Sequence, residues 1–446
     1  MSYIIIDGDK PLQGEANISG AKNAALPIMA ATLLTADECY LEKVPHIQDV
    51  LTMADVLKAL GAELQWLGAN TLLVRARSLN SPVVPADLAT RMRASFLVVG
   101  PLLARFGQAE APHPGGCAIG TRPVSVDLKG FQTMGAQVDR QNGTYKARAP
   151  HLWGEHLSLD YPSHTGTENL LMAACLARGT TIIENASVEP EVVDLANFLN
   201  SLGARIYGAG TGIITVEGVE KLHGGCFRIM PDRLEAGTFA LAAAVTRGTV
   251  EMDSAVAPYL GALTSKLQEA GVDVRMDPER YVVRGADHLR GLDIQTFPYP
   301  GFPTDLQAPF AVLMTQAEGE STIHETMFDD RLHYATELRK MGARIEVRGQ
   351  TALVQGPTPL KGTEVRALDI RAGAAEILAG LAAEGRTTIT DVHWIDRGYE
   401  GITEKLADMG AQIKRFEGKV ESVSKAGGNG RADHAAAASA AATAAV

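Results

Sequence analysis

At six points along the chain an apolar residue stands four places and one place before a glycine, and a short strand pattern follows each glycine. The copies are LKALGAELQW around Gly61, FQTMGAQVDR around Gly135, LNSLGARIYG around Gly203, LQEAGVDVRM around Gly271, LRKMGARIEV around Gly342 and LADMGAQIKR around Gly410. One apolar stripe at this spacing predicts an amphipathic helix, and the glycine is its natural C-terminal stop. The intervals between the six glycines are 74, 68, 68, 71 and 68 residues. A second signature shares the period: an Ala/Leu-rich helix, a glycine, then a β-rich strand. It reads LMAACLARGTTIIENA, LAAAVTRGTVEMDSA, VLMTQAEGESTIHET and LAGLAAEGRTTITDV, with weaker copies at ATLLTADECYLEKV and PLLARFGQAEAP. These helices are apolar on several faces, which predicts burial on all sides.

The period is too long for an ordinary solenoid unit. It predicts a small α/β subdomain repeated six times, as two lobes of three, with helices inside and sheets outside. The join falls near Phe227–Pro231, where FRIMPDR follows a Gly-Gly turn. Repeat phase places the strand before Lys22 with the last units. One lobe is then 22–230, and the other is 1–21 with 231–422. Two crossings between them make a hinge. The low-complexity, Ala-rich stretch 423–446 has no partner face and reads as a disordered tail.

Composition narrows the class. The 446 residues are 46% hydrophobic and 21% charged, a soluble globular balance, and too many for one core. A formal net charge of −11 argues against general nucleic-acid binding, yet leaves room for a local basic pocket. No apolar run reaches membrane-spanning length, and MSYIIIDGDK has no basic region of a signal peptide. The four cysteines, 39, 117, 175 and 226, lack metal-like spacing and suit a reducing, cytoplasmic compartment.

Candidate chemistry centres on Ala111–Val124, APHPGGCAIGTRPV, where prolines and glycines deny a helix and expose Cys117. That thiol is either incidental or chemical. Basic residues recur in turns: Lys22 in SGAKNAALP, Arg93 in TRMRASF, Arg122 in IGTRPV, Arg331 in FDDRLHY, Arg371 in DIRAGAAE and Arg397 in IDRGYE. Singly, each is as readily a solvated side chain. Together, each beside the start of an apolar helix, they point to a cleft for a substrate with two or more anionic groups. Asp305, in PGFPTDLQAPF, is either a helix N-cap or a general base held at low pKa by nearby cations. Asp369 beside Arg371 has an equal reading as an ion pair. Gly208-Ala-Gly-Thr-Gly212 precedes a strand and is a turn, not a nucleotide loop. His113 and His164 have no spaced partners, so no metal site is visible.

In chain order, G-A-K-N-A-A-L-P, P-G-G-C-x-I-G-x-R-P, P-D-R-x-E-x-G-T-F, P-T-D-x-Q-A, F-x-x-R and I-D-R-G-Y-E resemble the UDP-N-acetylglucosamine 1-carboxyvinyltransferases, an enolpyruvyl transferase family. The resemblance covers about residues 1–422 and implies a two-lobed inside-out α/β barrel. It further implies transfer of the enolpyruvyl group of phosphoenolpyruvate to the 3′-hydroxyl of the UDP-sugar, with release of phosphate. That reaction opens peptidoglycan synthesis and needs no cofactor or metal. It implies no oligomer. By the same resemblance Cys117 is the acid that protonates the enol, and the thiol that fosfomycin alkylates. Lys22, Asn23, Arg122, Arg331, Arg371 and Arg397 are implied to meet phosphoenolpyruvate. Asp305 is implied to take or orient the sugar proton, with Asp369 supporting the relay. Asn23, Arg93, Arg122, Pro123, Val124, Ser125, Val126, Ser163, His164, Asp305 and Met327 match positions that hold the UDP-sugar.

One departure stands out. Ser125 and Asp127 occupy positions where family members often carry aspartate and histidine, and an aspartate cannot donate to a diphosphate as histidine can. Two other readings make different demands on these residues. A 3-phosphoshikimate 1-carboxyvinyltransferase needs no cysteine loop, and a non-catalytic scaffold needs no intact Lys22, Cys117, Asp305 and Arg397.

Overall fold

The computed structural model describes residues 2–116, 120 and 123–418; the Ala-rich stretch 423–446 lies outside them. Each of the six signature glycines follows a helix and adopts a left-handed φ between +93° and +108°. The helices they close are Gln48–Leu60, Ser125–Thr133, Pro190–Ser201, Gly261–Glu269, Tyr334–Lys340 and Ile402–Asp408. Strands Glu63–Trp66, Gln137–Gln141, Arg205–Tyr207, Asp273–Met276, Arg344–Arg348 and Gln412–Glu417 follow them. Each strand belongs to a different one of six small sheets among the described residues. The repeat is therefore six α/β units.

The second signature supplies the interior. Helices Arg233–Val245, Gln307–Thr315 and Ile370–Ala382 pack on one another and are buried almost end to end. Lys22–Ala31, Val99–Phe106 and His164–Ala174 hold the corresponding place among the earlier units. Small side chains allow the approach: a Cβ on Gly100 would stand 2.4 Å from the Asn169 carbonyl oxygen. Two separate apolar cores result. One runs from Ala21 to Met230; the other combines Ile4–Ile18 with Leu234–Ile413.

The N-terminal strand Ser2–Asp7 explains that division, because it lies antiparallel between Arg386–Thr390 and Gln412–Glu417. Likewise Gln13–Glu15 runs parallel to Thr249–Asp253. The chain crosses between the cores twice, and the crossings touch: Gly20 and Pro231 form an antiparallel bridge, and Ala21 N donates to Met230 O at 2.8 Å. Gly208–Gly212 is the turn joining two strands of one sheet. No helix among the described residues is long and apolar enough to cross a membrane.

One interior group is costly. Glu376, on helix Ile370–Ala382, is fully buried, and neither carboxyl oxygen has a hydrogen-bond partner among the described residues. Burial, with Glu337 and Asp369 adding, pushes its pKa well above the ordinary 4.5. The folded chain thus binds a proton there, so stability falls as pH rises from the unfolded value through the folded one. Glu376→Met is expected to stabilise by about 1–3 kcal/mol near neutral pH, and by less at pH 4. Thermal unfolding across pH checks it; a variant less stable at pH 8 would refute the assignment.

Candidate active site

The two lobes face each other across a cavity of about 540 Å³. Its wall takes Lys22, Asn23, Arg93, Pro123, Ser163 and His164 from the first lobe, and Asp305, Met327, Arg331, Asp369, Arg371 and Arg397 from the second. These residues span more than 370 positions of sequence, and the fold brings them to one place. Gly116 also lines the cavity. Cys117 and Arg122 lie outside the described residues.

Helix starts aim several of these groups, as the sequence suggests. Lys22 is the first residue of its helix, and Arg371 the second of Ile370–Ala382. Asp369 caps that helix, accepting from the main-chain N–H of Arg371 at 2.6 Å and Ala372 at 3.0 Å. Its other oxygen meets His333 Nε2 at 2.8 Å. Arg331 and Arg397 depart from the pattern. Arg331 stands in the loop before Tyr334–Lys340, and Arg397 ends a 3₁₀ turn, Val392–Arg397.

The cations are not free charges. Asp305 is no helix cap: its carboxylate accepts from Arg331 and, through the other oxygen, from Arg371 Nε at 3.0 Å. Burial works to raise its pKa, but Arg371 and Arg331 outweigh it and hold the carboxyl well below the usual range. Among the described residues, the buried Arg371 Nη1 has no hydrogen-bond partner. Lys22 Nζ lies 3.2 Å from Asp49, and Arg397 Nε donates to the same carboxylate at 2.8 Å. Asp49 comes from helix Gln48–Leu60, so this cluster spans both lobes. In the sequence it reads only as an acidic residue in a first helical turn.

Arg233 is a second group that residue types alone do not flag. It opens helix Arg233–Val245, donates to Glu191 at 3.0 Å and Glu189 at 2.6 Å, and lines the cavity. The motif P-D-R already places a cation at a helix start, the one signal available. Asp232 beside it caps the same helix and accepts from Lys22 N at 3.1 Å, tying two helix starts together.

On the first lobe, Ser163 caps helix His164–Ala174 through Gly166 N at 3.1 Å. His164 Nε2 lies 3.1 Å from buried Glu168. Burial opposes the imidazolium, but Glu168, with Glu191 and Glu189 beyond, outweighs it and lifts the pKa to about 9. Arg93 Nη2 donates to the Pro123 carbonyl at 2.7 Å.

Three expected UDP-sugar contacts do not line the cavity. Val124 and Val126 pack into the first core, because the turn entering Ser125–Thr133 points that apolar face inward, and Ser125 faces solvent. Asp127 is likewise turned away from the cavity. It is buried, accepts from Asn169 Nδ2 at 2.8 Å, and burial pushes its carboxyl up to about 6.

Chemically, the cavity offers a fixed, ionised carboxylate between two guanidiniums, and a second cation pair, Lys22 and Arg397, on Asp49. Such a surface binds a compact polyanion and orients a hydroxyl. Comparisons with known proteins agree. Residues 6–406 match the family described as EPSP synthase (3-phosphoshikimate 1-carboxyvinyltransferase). UDP-N-acetylglucosamine 1-carboxyvinyltransferase from Magnetococcus marinus is 50% identical over 93% of this chain and all of its own length. UDP-N-acetylglucosamine 1-carboxyvinyltransferase 1 from Caldanaerobacter subterraneus is 47% identical over 92% of this chain and 99% of its own. Among solved structures, the enolpyruvyl transferase NikO from Streptomyces tendae superposes with a TM-score of 0.84 at 26% identity, over 93% of this chain and 99% of its own. EPSP synthase from Acinetobacter baumannii gives 0.72 at 19% identity, covering 93% and 100%, a likeness of fold alone. Sequence and fold lead to one conclusion: this chain belongs to the enolpyruvyl transferases, in the UDP-N-acetylglucosamine 1-carboxyvinyltransferase family.

Proposed function

We propose that this enzyme transfers the enolpyruvyl group of phosphoenolpyruvate to the 3′-hydroxyl of UDP-N-acetylglucosamine and releases inorganic phosphate. The observation that carries the reading is the meeting of Lys22, Arg331, Arg371, Arg397 and ionised Asp305 on one interlobe wall. Phosphoenolpyruvate carries a carboxylate and a phosphate, which match separate cation pairs. Its methylene carbon must gain a proton to make C2 cation-like, and the sugar oxygen must lose one as it bonds to C2. Asp305 takes or orients that sugar proton. A carboxylate held so acidic accepts it only as the new C–O bond acidifies the hydroxyl, so geometry rather than basicity does the work. Loss of phosphate and of a methyl proton then restores the vinyl group.

Cys117 is the proton donor to the methylene carbon in this reading, and Arg122 meets phosphoenolpyruvate. Asp369, held by His333, supports the relay through Arg371. Asn23, Arg93, Pro123, Ser163, His164 and Met327 hold the UDP-sugar. We take 22–230 as one lobe and 1–21 with 231–422 as the other. The enzyme would act in the cytoplasm at the first committed step of peptidoglycan synthesis, and so in cell shape and division. Fosfomycin would alkylate Cys117, since burial pushes the thiols of Cys39 and Cys175 up to about 12.

Phosphate release from phosphoenolpyruvate tests the acceptor. Release is expected with UDP-N-acetylglucosamine and not with shikimate 3-phosphate; the reverse result overturns the reading. Intact mass after fosfomycin should show one adduct on the wild type and none on Cys117→Asp. An adduct persisting on that variant would instead implicate exposed Cys226.

A further inference from the structure

The Lys22–Asp49–Arg397 cluster is assembled from three chain segments, and all three are held by one carboxylate outside the cavity. Ser19, three residues before Lys22, donates through Oγ to Glu400 Oε2 at 2.6 Å. His46, three before Asp49, donates its main-chain N–H to Glu400 Oε1 at 2.7 Å. Glu400 itself follows Arg397 by three residues. Asn70 Nδ2 donates to Oε1 at 2.8 Å and to the Val44 carbonyl at 2.9 Å, tying the carboxylate to the first lobe a second time.

The grip on Ser19 is itself braced. Lys405 Nζ donates to Ser19 Oγ at 2.7 Å and to Glu235 at 2.6 Å, and Ser19 N donates to Glu235 Oε2 at 2.7 Å. Ser19 lies on the crossing that pairs Gly20 with Pro231, so the tether acts at the hinge. Glu400 lines a separate groove of about 530 Å³ and no part of the active-site cavity. Charge-assisted hydrogen bonds of this length are the strong, directional kind.

We propose that Glu400 is a positioning residue: it sets the register of Lys22, Asp49 and Arg397 across the cleft without touching the reactants. The proposal rests on the reading that Lys22 and Arg397 hold phosphoenolpyruvate. Each of these three side chains extends from a backbone point three residues from a tether contact, so slack at Glu400 moves all three together. Displacement of binding groups by about 1 Å can cost about a hundredfold in rate.

Steady-state kinetics of Glu400→Ala, Glu400→Gln, Asn70→Ala and Arg397→Ala test it. Glu400→Ala should raise KM for phosphoenolpyruvate and lower kcat, so that kcat/KM falls about 10- to 100-fold, with KM for the UDP-sugar within about twofold. Glu400→Gln keeps an acceptor and should recover most of the loss. Asn70→Ala removes one donor and should fall between wild type and Glu400→Ala. A merely structural role lowers the folded fraction and hence kcat alone. An unchanged KM for phosphoenolpyruvate in Glu400→Ala therefore overturns the proposal. Should that variant not fold, an unchanged KM in Asn70→Ala does so instead. If Arg397→Ala also leaves this KM unchanged, the site reading fails; if it raises KM and the Glu400 and Asn70 variants do not, only the tether fails.

Discussion

Asp305→Asn is expected to lower kcat by about 100- to 10,000-fold, the range for losing a positioned proton acceptor. The substitution keeps the shape and an oxygen for Arg331 or Arg371, so binding of both substrates should change little by comparison. The carboxylate is already ionised throughout the accessible range, because two guanidiniums hold it below its usual value against the effect of burial. The acid limb of the wild-type pH profile therefore belongs to another group, and Asp305→Asn should scale that profile without shifting the limb. The same depression makes Asp305 a stabilising residue above its unfolded pKa, with that contribution lost only in strong acid. Rates must accordingly be referred to folded protein, counted by denaturant titration. A loss under tenfold would remove Asp305 from the proton path.

Arg233→Met is expected to cost about 3–5 kcal/mol of stability, the scale for stranding buried partners of a lost ion. Arg233 bridges the cores, since its guanidinium meets Glu189 and Glu191 of the first lobe from the helix that opens the second. Glu189 is held again by Tyr299 N at 3.0 Å. Burial tends to raise the Glu191 pKa, but Arg233, with His164, outweighs it and brings the value below the ordinary 4.5. The stabilisation is therefore present above that pH and lost as pH falls through the folded value. The cost of Arg233→Met should shrink toward pH 4. Urea unfolding at pH 7 and pH 4 checks the sign. Adding Glu191→Gln to Arg233→Met should restore part of the loss, and a purely additive double variant would show that the pair is not coupled.

Both predictions concern pairings that no local pattern announces. Asp49 sits in QDVLTM, where an acidic residue in a first turn complements the helix dipole and needs no other role. Glu400 in RGYEGI looks like any exposed acidic residue of a turn. The turn at Val124–Val126 shows the converse. Resemblance assigns these positions to the UDP-sugar, but two valines flanking a helix start are drawn to the core, and their side chains leave the cavity wall.

The chain alone specified six α/β units, because each rests on a local device: an apolar stripe, a glycine able to take positive φ, and a strand within about ten residues. It also suggested the residue types of the cleft, since lysines and arginines recurring together beside helix starts suit an anionic substrate. Only the tertiary structure decided which carboxylate meets which cation. Asp305 holds Arg331 and Arg371, Asp49 joins Lys22 to Arg397, and Glu400 anchors the three segments behind them. The physical reason is range. Helix stops act over a few residues of sequence, whereas an ion pair depends on distance in space and on exclusion of water, which arise only once the two lobes are packed together.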